Sequence, residues 1–466
     1  MLPDNFEETW NEMPVVSLNE QYGRLISYAL PCPHISPRQF LAHSRGLPRF
    51  YWENGHEDIA LAGCGVAVEL VAYQDRFTHI ETQARELFSN AVFASGTGIA
   101  PPFAKPRLFG GFSFRADFIP DEAWADFVPA QFILPHYQLL KMGDDCWLTI
   151  NTHISDDDMP RQLMGELEQA LRAKLDDLAK PIPPLPDMPA LSDLTYPMPY
   201  PVWEANLNTA IAGMQAGLLK KVVLSRVAEA RFHAPIDVDR ALDFLAEKYP
   251  ETIRFLFEPR PHHAFYGATP ELLAHVDDLT IHTMALAGSI RRGKSAQETA
   301  RLADELLHSE KDRYEHQLVV DKLIERLTPL THTLDVGQTG VMPLSNIQHL
   351  HTPITGELRQ TMGILPIIEA LHPTPALGGD PQDVAMAMIR ELEPVPRGWF
   401  ASPIGWIDGA LNGQFAVGIR SGVTQYDRAW LYAGAGIVHT SDPRKEWDET
   451  ALKFRPMMGA LGVDGG

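Results

Sequence analysis

The stretch YAGAGIVHTSDPRKEWDETALKF, residues 432–454, predicts a strand, a turn and a helix in that order. Asp442 followed by Pro443 is typical of a helix start, with a capping side chain and a proline at the first helical position. Glu446 and Glu449 stand three residues apart, so both carboxylates lie on one face of the predicted helix. Burying a carboxylate alone is costly. The helix therefore needs a positive partner on that face.

A second stretch, SEKDRYEHQLVV at residues 309–320, repeats this arrangement inside a long helix predicted from about 296 to 327. Asp312 and Glu315 share a face with the apolar side of that helix. Two helices that each offer two carboxylates to a semi-buried surface suit Mg²⁺, which prefers a few carboxylates together with water and substrate oxygens. The alternative is that all four acids are solvated surface charges, and the pattern alone leaves both interpretations open.

Composition limits the possible partners. The chain has 466 residues, 45% of them hydrophobic and 21% charged, which is typical of a globular protein of two or three domains or of one large α/β unit. The formal net charge of −21 argues against nucleic acid or an anionic membrane surface as the main partner. No CxxC pair or zinc spacing is formed by the three cysteines, which are Cys32, Cys64 and Cys146.

A reducing compartment is therefore favoured over a disulfide framework. The acidic N-terminus lacks the apolar segment of a signal peptide, and the longest apolar runs are about half as long as a membrane span. We expect a cytoplasmic protein without a nucleic-acid or membrane partner.

A connector divides the chain. Residues 181–201 contain eight prolines in 21 residues, a composition that excludes a helix or a central strand. Before it, short strands and a helix at 160–178 are predicted. After it, helices are predicted at 202–217, 238–248, 296–327 and from 443, and strands at 221–230, 252–258, 263–269, 347–357, 400–408, 413–426 and 429–438. Pro456 should end or kink the last helix near Arg455.

Nine motifs, in order over residues from about 200 to 462, resemble those of the chorismate-utilising enzymes. They are KVVLSR (221–226), GATPELL (267–273), LAGSIRRG (286–293), EKDRYEHQLVV (310–320), QHLHTPITGEL (348–358), LHPTPALGGDP (371–381), RGWFASPIGW (397–406), VGIRS (417–421) and YAGAGIV…SDPRKEWDET (432–450). LFGGFSF (108–114) extends the likeness into the N-terminal half.

The resemblance implies an α+β fold, an α/β sandwich of large antiparallel sheets with helices outside and the active cleft between its halves. Residues 1–180 would be the N-terminal half of that fold, 181–201 a proline-rich crossover, and 202–466 the chorismate-binding catalytic region.

The resemblance also implies a magnesium site. Glu315 and Glu449 would be the Mg²⁺ ligands, and Asp312 and Glu446 would lie behind them, holding bound waters. The metal would be held against the ring carboxylate of chorismate, and it would be the positive partner that the acidic helix faces require.

Further residues would bind the substrate. Arg420 matches the arginine that holds the other substrate carboxylate, a task suited to a guanidinium fork. Gly434 and Gly436 would let backbone N–H groups approach an anionic oxygen, or would allow close packing against a neighbouring element. The other substrate-binding candidates are Ser289, His349 and Phe400. The last stands where many relatives have a tyrosine, so the hydrogen bond of that tyrosine is expected to be missing or supplied otherwise.

The reaction is indicated by Lys221 and Glu271. Lysine at position 221 resembles the isochorismate- and salicylate-forming members, whereas the anthranilate-forming members have glutamine there. A buried lysine can act as general base toward water, and Glu271 would protonate the departing C4 hydroxyl, for which an apolar surrounding must keep it protonated. Ala287 stands where the aminodeoxychorismate-forming members carry a nucleophilic lysine, so that covalent route is closed.

The expectation is isochorismate synthesis, by addition of water at C2 of chorismate with loss of the C4 hydroxyl. The alternatives are a salicylate synthase, which goes on to expel pyruvate, an anthranilate synthase component, and a non-catalytic binding protein. Menaquinone synthesis is favoured over siderophore synthesis because the N-terminal region is long. The assembly is expected to be a monomer or a homodimer.

Overall fold

The computed structural model describes residues 23–32, 35–96, 101–154 and 160–463. The expectation that no signal peptide is present concerns residues before 23, outside the described ranges. The described helices are α1 Pro37–Ala42, α2 Arg76–Ser89, α3 Pro160–Leu178, α4 Tyr200–Gln215, α5 Val238–Lys248, α6 Ala296–His308, α7 Glu310–Leu327, α8 Leu365–Leu371, α9 Gln382–Leu392 and α10 Pro443–Ala460. Short 3-10 turns lie at Pro102–Ala104 and Glu122–Trp124.

Short strands dominate the first half of the chain. They are β1 Arg24–Pro31, β2 Arg49–Asn54, β3 Ile59–Cys64, β4 Val68–Ala72, β5 Val92–Ser95, β6 Arg107–Phe112, β7 Ala130–Leu134, β8 Tyr137–Met142, β9 Asp145–Ile154 and β10 Leu191–Thr195.

The second half contains the longer strands. They are β11 Lys221–Phe232, β12 Ile253–Arg260, β13 His263–Thr269, β14 Leu272–Asp277, β15 Thr280–Arg291, β16 Thr331–Val336, β17 Gly340–Pro343, β18 Ile347–Leu358, β19 Gly379–Asp380, β20 Pro403–Asp408, β21 Gly413–Val417, β22 Ser421–Gln425 and β23 Arg428–Val438.

These strands form two large sheets. Thirteen of the described strands pair in the order β10-β11-β23-β22-β13-β12-β2-β3-β8-β9-β1-β5, with β19 added beside β11. Ten others pair as β16-β18-β15-β14-β21-β20-β6-β7-β4, with β17 beside β18. The ladders are antiparallel except for β1 with β5. The predicted α+β fold with large antiparallel sheets is thereby confirmed.

Strands from both sides of the proline-rich connector share each sheet. In the first sheet β12 pairs with β2, and in the second β20 pairs with β6. One apolar core joins the inner faces, with Phe50 and Phe255 from the first sheet and Phe112 and Phe415 from the second. The connector itself contributes the edge strand β10, which pairs with β11. Residues before and after the connector are therefore parts of one packed structure.

Helices cover the outer faces. A second core cluster lies between the first sheet and helices α3, α5 and α10, through side chains such as Leu171, Leu245 and Met457. Helix α7 packs on β15 of the second sheet. The helices thus lie outside the sheets, as the resemblance implies. Among the described residues, no helix combines the length and hydropathy that a bilayer crossing would require.

The prediction of one helix over 296–327 is wrong. The chain breaks at Ser309, whose backbone is extended and whose hydroxyl oxygen accepts a hydrogen bond from the Asp312 N–H group. Serine competes with helix continuation because its side chain can cap a new helix start. Helix α7 consequently begins at Glu310 and presents its acids from its first two turns.

Of the two effects predicted for Pro456, an end of the helix is wrong, because α10 continues to Ala460, and a kink stays a prediction. Phe454, Met457 and Met458 are buried around the proline. Their burial outweighs the loss of one backbone hydrogen bond.

The predicted strand 413–426 is two strands, β21 and β22, separated at residues 418–420. The predicted strand 400–408 begins only at Pro403. Helices α1, α2, α8 and α9 were not predicted.

Candidate active site

A pocket lies between the two sheets, where β11 and β23 of the first face β15 and β18 of the second, and it contains about 700 Å³ of space that is partly open to solvent. Nine of the residues predicted for the site line it, namely Glu271, Ser289, Glu315, His349, Phe400, Arg420, Gly434, Gly436 and Glu449. The other three, Lys221, Asp312 and Glu446, lie behind this lining. One cleft therefore collects residues that are far apart in the sequence.

The base candidate Lys221 is the first residue of β11 and is fully buried. Its Nζ atom lies 2.9 Å from Oε1 of Glu315, close enough for an ion pair although the angle is poor for a hydrogen bond. Burial raises the pKa of Glu315, but the nearby ammonium groups of Lys221 and Lys311 lower it more, and the net pKa lies below the ordinary value. Glu315 is therefore an ionised carboxylate within the protein.

Gly436 makes room for this ion pair. A Cβ atom at Gly436 would lie 2.0 Å from Oε1 of Glu315 and 3.0 Å from Cε of Lys221. At Gly434 the nearest atom would be the Leu224 carbonyl oxygen at 3.3 Å, so that glycine is less constrained. The structure thus places Gly436 in close packing, one of the two roles considered from the sequence.

The acids of α10 are also paired with lysines. Glu446 is 1% exposed, and its carboxylate contacts Nζ of Lys311 at 2.5 Å. Burial and the neighbouring Glu449 raise the pKa of Glu446 to about 7. Glu449 Oε1 lies 2.6 Å from Nζ of Lys453. These contacts exclude the interpretation of the α10 acids as freely solvated charges.

The remaining acid, Asp312, is half-buried beside Gly288, and the Ser309 hydroxyl donates a hydrogen bond to its carboxylate. Burial raises the pKa of Asp312. Within the described ranges, no group of three or more histidine, cysteine or acidic side chains is close enough to hold a metal ion. Glu315 and Glu449 nevertheless both line the pocket, and their oxygens are the hard donors that Mg²⁺ prefers, with one or two carboxylates often sufficient. The donor chemistry therefore fits magnesium.

A hydrogen-bonded chain joins three predicted substrate-binding residues. Arg420 Nη2 donates to Nε2 of His349 at 2.9 Å, and Nδ1 of His349 lies 2.9 Å from the Ser289 hydroxyl. Burial and the charge of Arg420 lower the pKa of His349 well below its ordinary value, so the ring is neutral. Because Nε2 accepts from the guanidinium, the ring proton belongs on Nδ1, which donates to Ser289. The serine hydrogen is then free to point into the pocket.

Arg420 is fixed in an uncommon backbone conformation, with φ of 50°. Burial lowers its pKa to about 10, so the guanidinium stays charged at neutral pH. A non-glycine residue at positive φ is strained, and such strain is found where the surroundings fix a functional side chain. The turn at 418–420 thus directs a buried cation into the pocket.

The acid candidate Glu271 lies between β13 and β14 and is 5% exposed. Burial raises its pKa from 4.5 to about 7, although Lys221, Lys453 and Arg420 act in the opposite direction. This agrees with the expectation that an apolar surrounding keeps Glu271 protonated. A neutral carboxyl in the pocket can donate a proton.

Phe400 stacks on Tyr432, with ring centroids 5.0 Å apart and planes inclined by 20°. The Tyr432 hydroxyl accepts a hydrogen bond from Trp124 and donates one to the Pro396 carbonyl oxygen. Since that hydroxyl is already engaged, Tyr432 does not replace the phenol that many relatives carry at position 400.

Two charged lining residues, Lys453 and Arg397, were missed by the sequence reasoning. Lys453 donates to the Gly434 carbonyl oxygen at 2.9 Å and pairs with Glu449, four residues earlier on the same helix face. That spacing could have revealed it. Arg397 is buried, pairs with Glu393 and donates to the Val223 and Leu377 carbonyl oxygens. Nothing in the local sequence indicates those long-range partners.

Comparisons with known proteins agree with this site. Residues 11–462 match the family model of the chorismate binding enzymes. The chain is 35% identical to the salicylate biosynthesis isochorismate synthase of Pseudomonas aeruginosa, over 91% of this chain and 86% of that protein. It is 33% identical to the isochorismate synthase MenF of Bacillus subtilis, over 94% and 93%.

A solved structure is also similar. It is that of MenF, the menaquinone-specific isochorismate synthase from Escherichia coli, which superimposes with a TM-score of 0.78 at 25% identity and covers 94% of each chain. Because the family model spans almost the whole sequence and the predicted residues meet in one pocket, this chain belongs to the chorismate binding enzyme family.

Proposed function

We propose that this protein is an isochorismate synthase, an enzyme that converts chorismate to isochorismate. The observation that carries the proposal is the placement of Glu271, buried and with a pKa of about 7, in one pocket with Arg420 and beside the Lys221–Glu315 pair. Membership of the chorismate binding enzymes and similarity to isochorismate synthases over more than nine-tenths of the chain support this assignment.

Each pocket residue has a separate role in the proposed reaction. Arg420 holds one carboxylate of chorismate by a charge-assisted contact, and the chain through His349 to Ser289 fixes the guanidinium and orients the serine hydrogen toward the substrate. Glu271 gives its proton to the C4 hydroxyl as the C4–O bond breaks. Lys221 takes a proton from the water that adds at C2 while the ring double bond shifts. Most of the rate enhancement then comes from orientation and electrostatics.

The base role places a requirement on Lys221. An ammonium group paired with Glu315 is an acid and cannot accept a proton. Before water attacks, the Lys221 ammonium must therefore pass one proton to Glu315 or to solvent, so that a neutral amine faces the attacking water.

Magnesium is the proposed cofactor. Glu315 and Glu449 would hold it, with Asp312 and Glu446 behind them, and the bound ion would neutralise and orient a substrate carboxylate. The support for this set is its oxygen-donor chemistry and the position of Glu315 and Glu449 on the pocket wall.

Incubation of the purified protein with chorismate and Mg²⁺, followed by chromatography of the products, tests the assignment. We expect isochorismate to accumulate and the reverse reaction to occur from isochorismate. Prompt formation of salicylate and pyruvate would establish the salicylate synthase alternative instead. Anthranilate formed only with ammonia would contradict both, and binding of chorismate without turnover would indicate a non-catalytic protein.

We also propose the biosynthetic pathway that uses the product. The long N-terminal region favours menaquinone synthesis over siderophore synthesis, and the match to Bacillus subtilis MenF over 94% of this chain supports it. The Pseudomonas aeruginosa relative, named for salicylate biosynthesis, matches over a similar length. Rescue of a menaquinone-deficient strain lacking its own isochorismate synthase would support the menaquinone assignment, and rescue of salicylate production alone would overturn it. The cytoplasm as location, and a monomer or homodimer as assembly, belong to the same proposal.

A further inference from the structure

Two thiols far from the pocket face each other across a β-ladder. Cys32 directly follows β1, and Cys146 is the second residue of β9, the antiparallel neighbour of β1. The Cys32 N–H group donates to the Cys146 carbonyl oxygen at 2.8 Å, which continues the ladder beyond its last paired residues. The two Sγ atoms lie 3.2 Å apart.

This geometry is close to that of a disulfide. A disulfide needs an S–S distance of about 2.0 Å and Cα atoms about 4.4–6.8 Å apart. Residues opposite each other in an antiparallel ladder have Cα atoms about 4.5–5.5 Å apart, within that range. The sulfur atoms therefore need to approach by only about 1 Å, with the backbone already in place.

The pair is also chemically asymmetric. A hydrogen bond with Cys32 lowers the pKa of Cys146, and Lys141, directly opposite on β8, acts in the same direction. The same hydrogen bond, together with burial, raises the pKa of Cys32. Because Lys141 lies directly opposite Cys146 and its charge favours the thiolate, the reactive form, Cys146 is assigned as the nucleophilic sulfur and Cys32 as the thiol that can resolve an oxidised partner.

We propose that Cys32 and Cys146 form a reversible intramolecular disulfide when the protein meets a peroxide. The Cys146 sulfur attacks a peroxide oxygen, the O–O bond breaks, and Cys146 becomes a sulfenic acid while one water leaves. The Cys32 sulfur then attacks that sulfur, the S–S bond forms, and the sulfenic oxygen leaves as a second water with the Cys32 proton. Two thiols are oxidised by two electrons, and hydrogen peroxide is reduced to two waters.

The consequence is structural. In the order of the first sheet, β9 and β1 lie near the end opposite to β11 and β23, which carry the pocket. The bond would join residues 114 positions apart and restrict the unfolded chain. The oxidised protein should therefore keep the turnover of the reduced protein while its unfolding temperature rises. A dithiol reductant reverses both the bond and the rise.

Peptide mapping of the full-length protein tests this. The folded protein is treated with hydrogen peroxide, its remaining thiols are alkylated under denaturing conditions, and it is digested with trypsin. The expected product is residues 25–38 linked to residues 142–161, lighter than the two peptides together by two hydrogen atoms and separated by reductant. The third thiol, Cys64, should be recovered alkylated in the peptide 50–76.

Matched variants complete the test. Cys32→Ser and Cys146→Ser should each abolish the linked peptide and the rise in unfolding temperature, whereas Cys64→Ala should keep both. A link that includes Cys64 would overturn the proposal, as would a wild-type protein in which Cys146 accumulates sulfinic acid without forming a link. Because the readout is covalent linkage, the result is independent of which reaction the pocket catalyses.

Discussion

Lys221 and Glu315 form a buried ion pair that joins the two halves of the active-site cleft. Lys221 begins β11 in the first sheet, and Glu315 lies on α7, which packs on the second sheet. Each charge offsets the cost of burying the other, because a lone charge in the interior is strongly unfavourable. The pair therefore links stability to the geometry of the site.

Replacing Lys221 with methionine should abolish turnover and destabilise the protein. The variant keeps the side-chain volume but leaves Glu315 buried without its partner, which costs about 3 kcal/mol or more of unfolding free energy. Urea denaturation and the rate of chorismate consumption measure the two effects.

Lys220→Met is the matched control. The neighbouring Lys220 is largely exposed, and its ion-pair partner Asp380, itself mostly buried, keeps a second cation in Lys322. We expect a change of less than about 1 kcal/mol and normal activity. Turnover by Lys221→Met at the wild-type rate would eliminate Lys221 as the base.

Gly436→Ala should damage the site through a single methyl group. The added Cβ would meet Oε1 of Glu315 at 2.0 Å, so the carboxylate and the Lys221 side chain would have to move. We expect at least a tenfold loss of kcat/KM, equal to about 1.4 kcal/mol of transition-state stabilisation.

Gly434→Ala provides the comparison on the same strand, since its Cβ would have ordinary or slightly tight contacts, the nearest at 3.3 Å. A smaller loss is expected there. Equal losses in both variants would show that the close approach of Glu315 to Gly436 has no special importance.

The sequence predicts which helices and strands form better than it predicts where one element ends and the next begins. Helix α5 has the predicted limits 238–248, because its apolar spacing and its cap at Asp237 are local signals. The sequence signal for the break at Ser309, a serine that can cap a helix, is also local. The apolar periodicity continues on both sides of it, however, and favours one uninterrupted helix. At residues 418–420, the left-handed conformation of Arg420 divides a stretch that is continuous in its strand propensity.

The active site can likewise be predicted only in part from the sequence. The four acids and the identity of the pocket residues follow from spacing and from family resemblance. Which lysine Glu315 and Glu446 meet does not, because Lys221 contacts Glu315 and Lys311 contacts Glu446 only after β11, α7 and α10 have docked. Such long-range pairing leaves no pattern in the local sequence.

The pH dependence of kcat/KM should follow the ionisation of Glu271. As a general acid it must be protonated, and with a pKa of about 7 it loses its proton as the pH rises above neutrality. We expect kcat/KM to fall about tenfold per pH unit above about pH 7, and Glu271→Gln to be inactive at every pH.

The pH dependence of the unfolding free energy measures the ionisation of Glu271 independently of activity. Because the folded pKa of about 7 exceeds the ordinary value of 4.5, the folded state binds the proton more tightly, so stability declines as the pH rises from about 4.5 through 7. Glu271→Gln should remove the part of the decline that Glu271 contributes, a gain of about 2 kcal/mol relative to wild type between pH 5 and pH 8, while Glu446, whose pKa is also about 7, keeps its own part. Parallel pH dependence in the two proteins would mean that Glu271 is not the titrating group.

Glu449→Gln should weaken the dependence of the reaction on magnesium. The substitution keeps the size of the side chain but removes one negative charge from the pocket wall, and a neutral amide is a poorer ligand for a hard cation. We expect the Mg²⁺ concentration for half-maximal activity to rise about tenfold or more, and calorimetric titration with Mg²⁺ in the presence of chorismate to show the same change in affinity. Asp448→Asn is the control, since the adjacent Asp448 is exposed and pairs with Arg444 at the surface. It changes the net charge equally, so a general electrostatic effect would appear in both variants. An unchanged magnesium requirement in Glu449→Gln would place the metal elsewhere in the cleft.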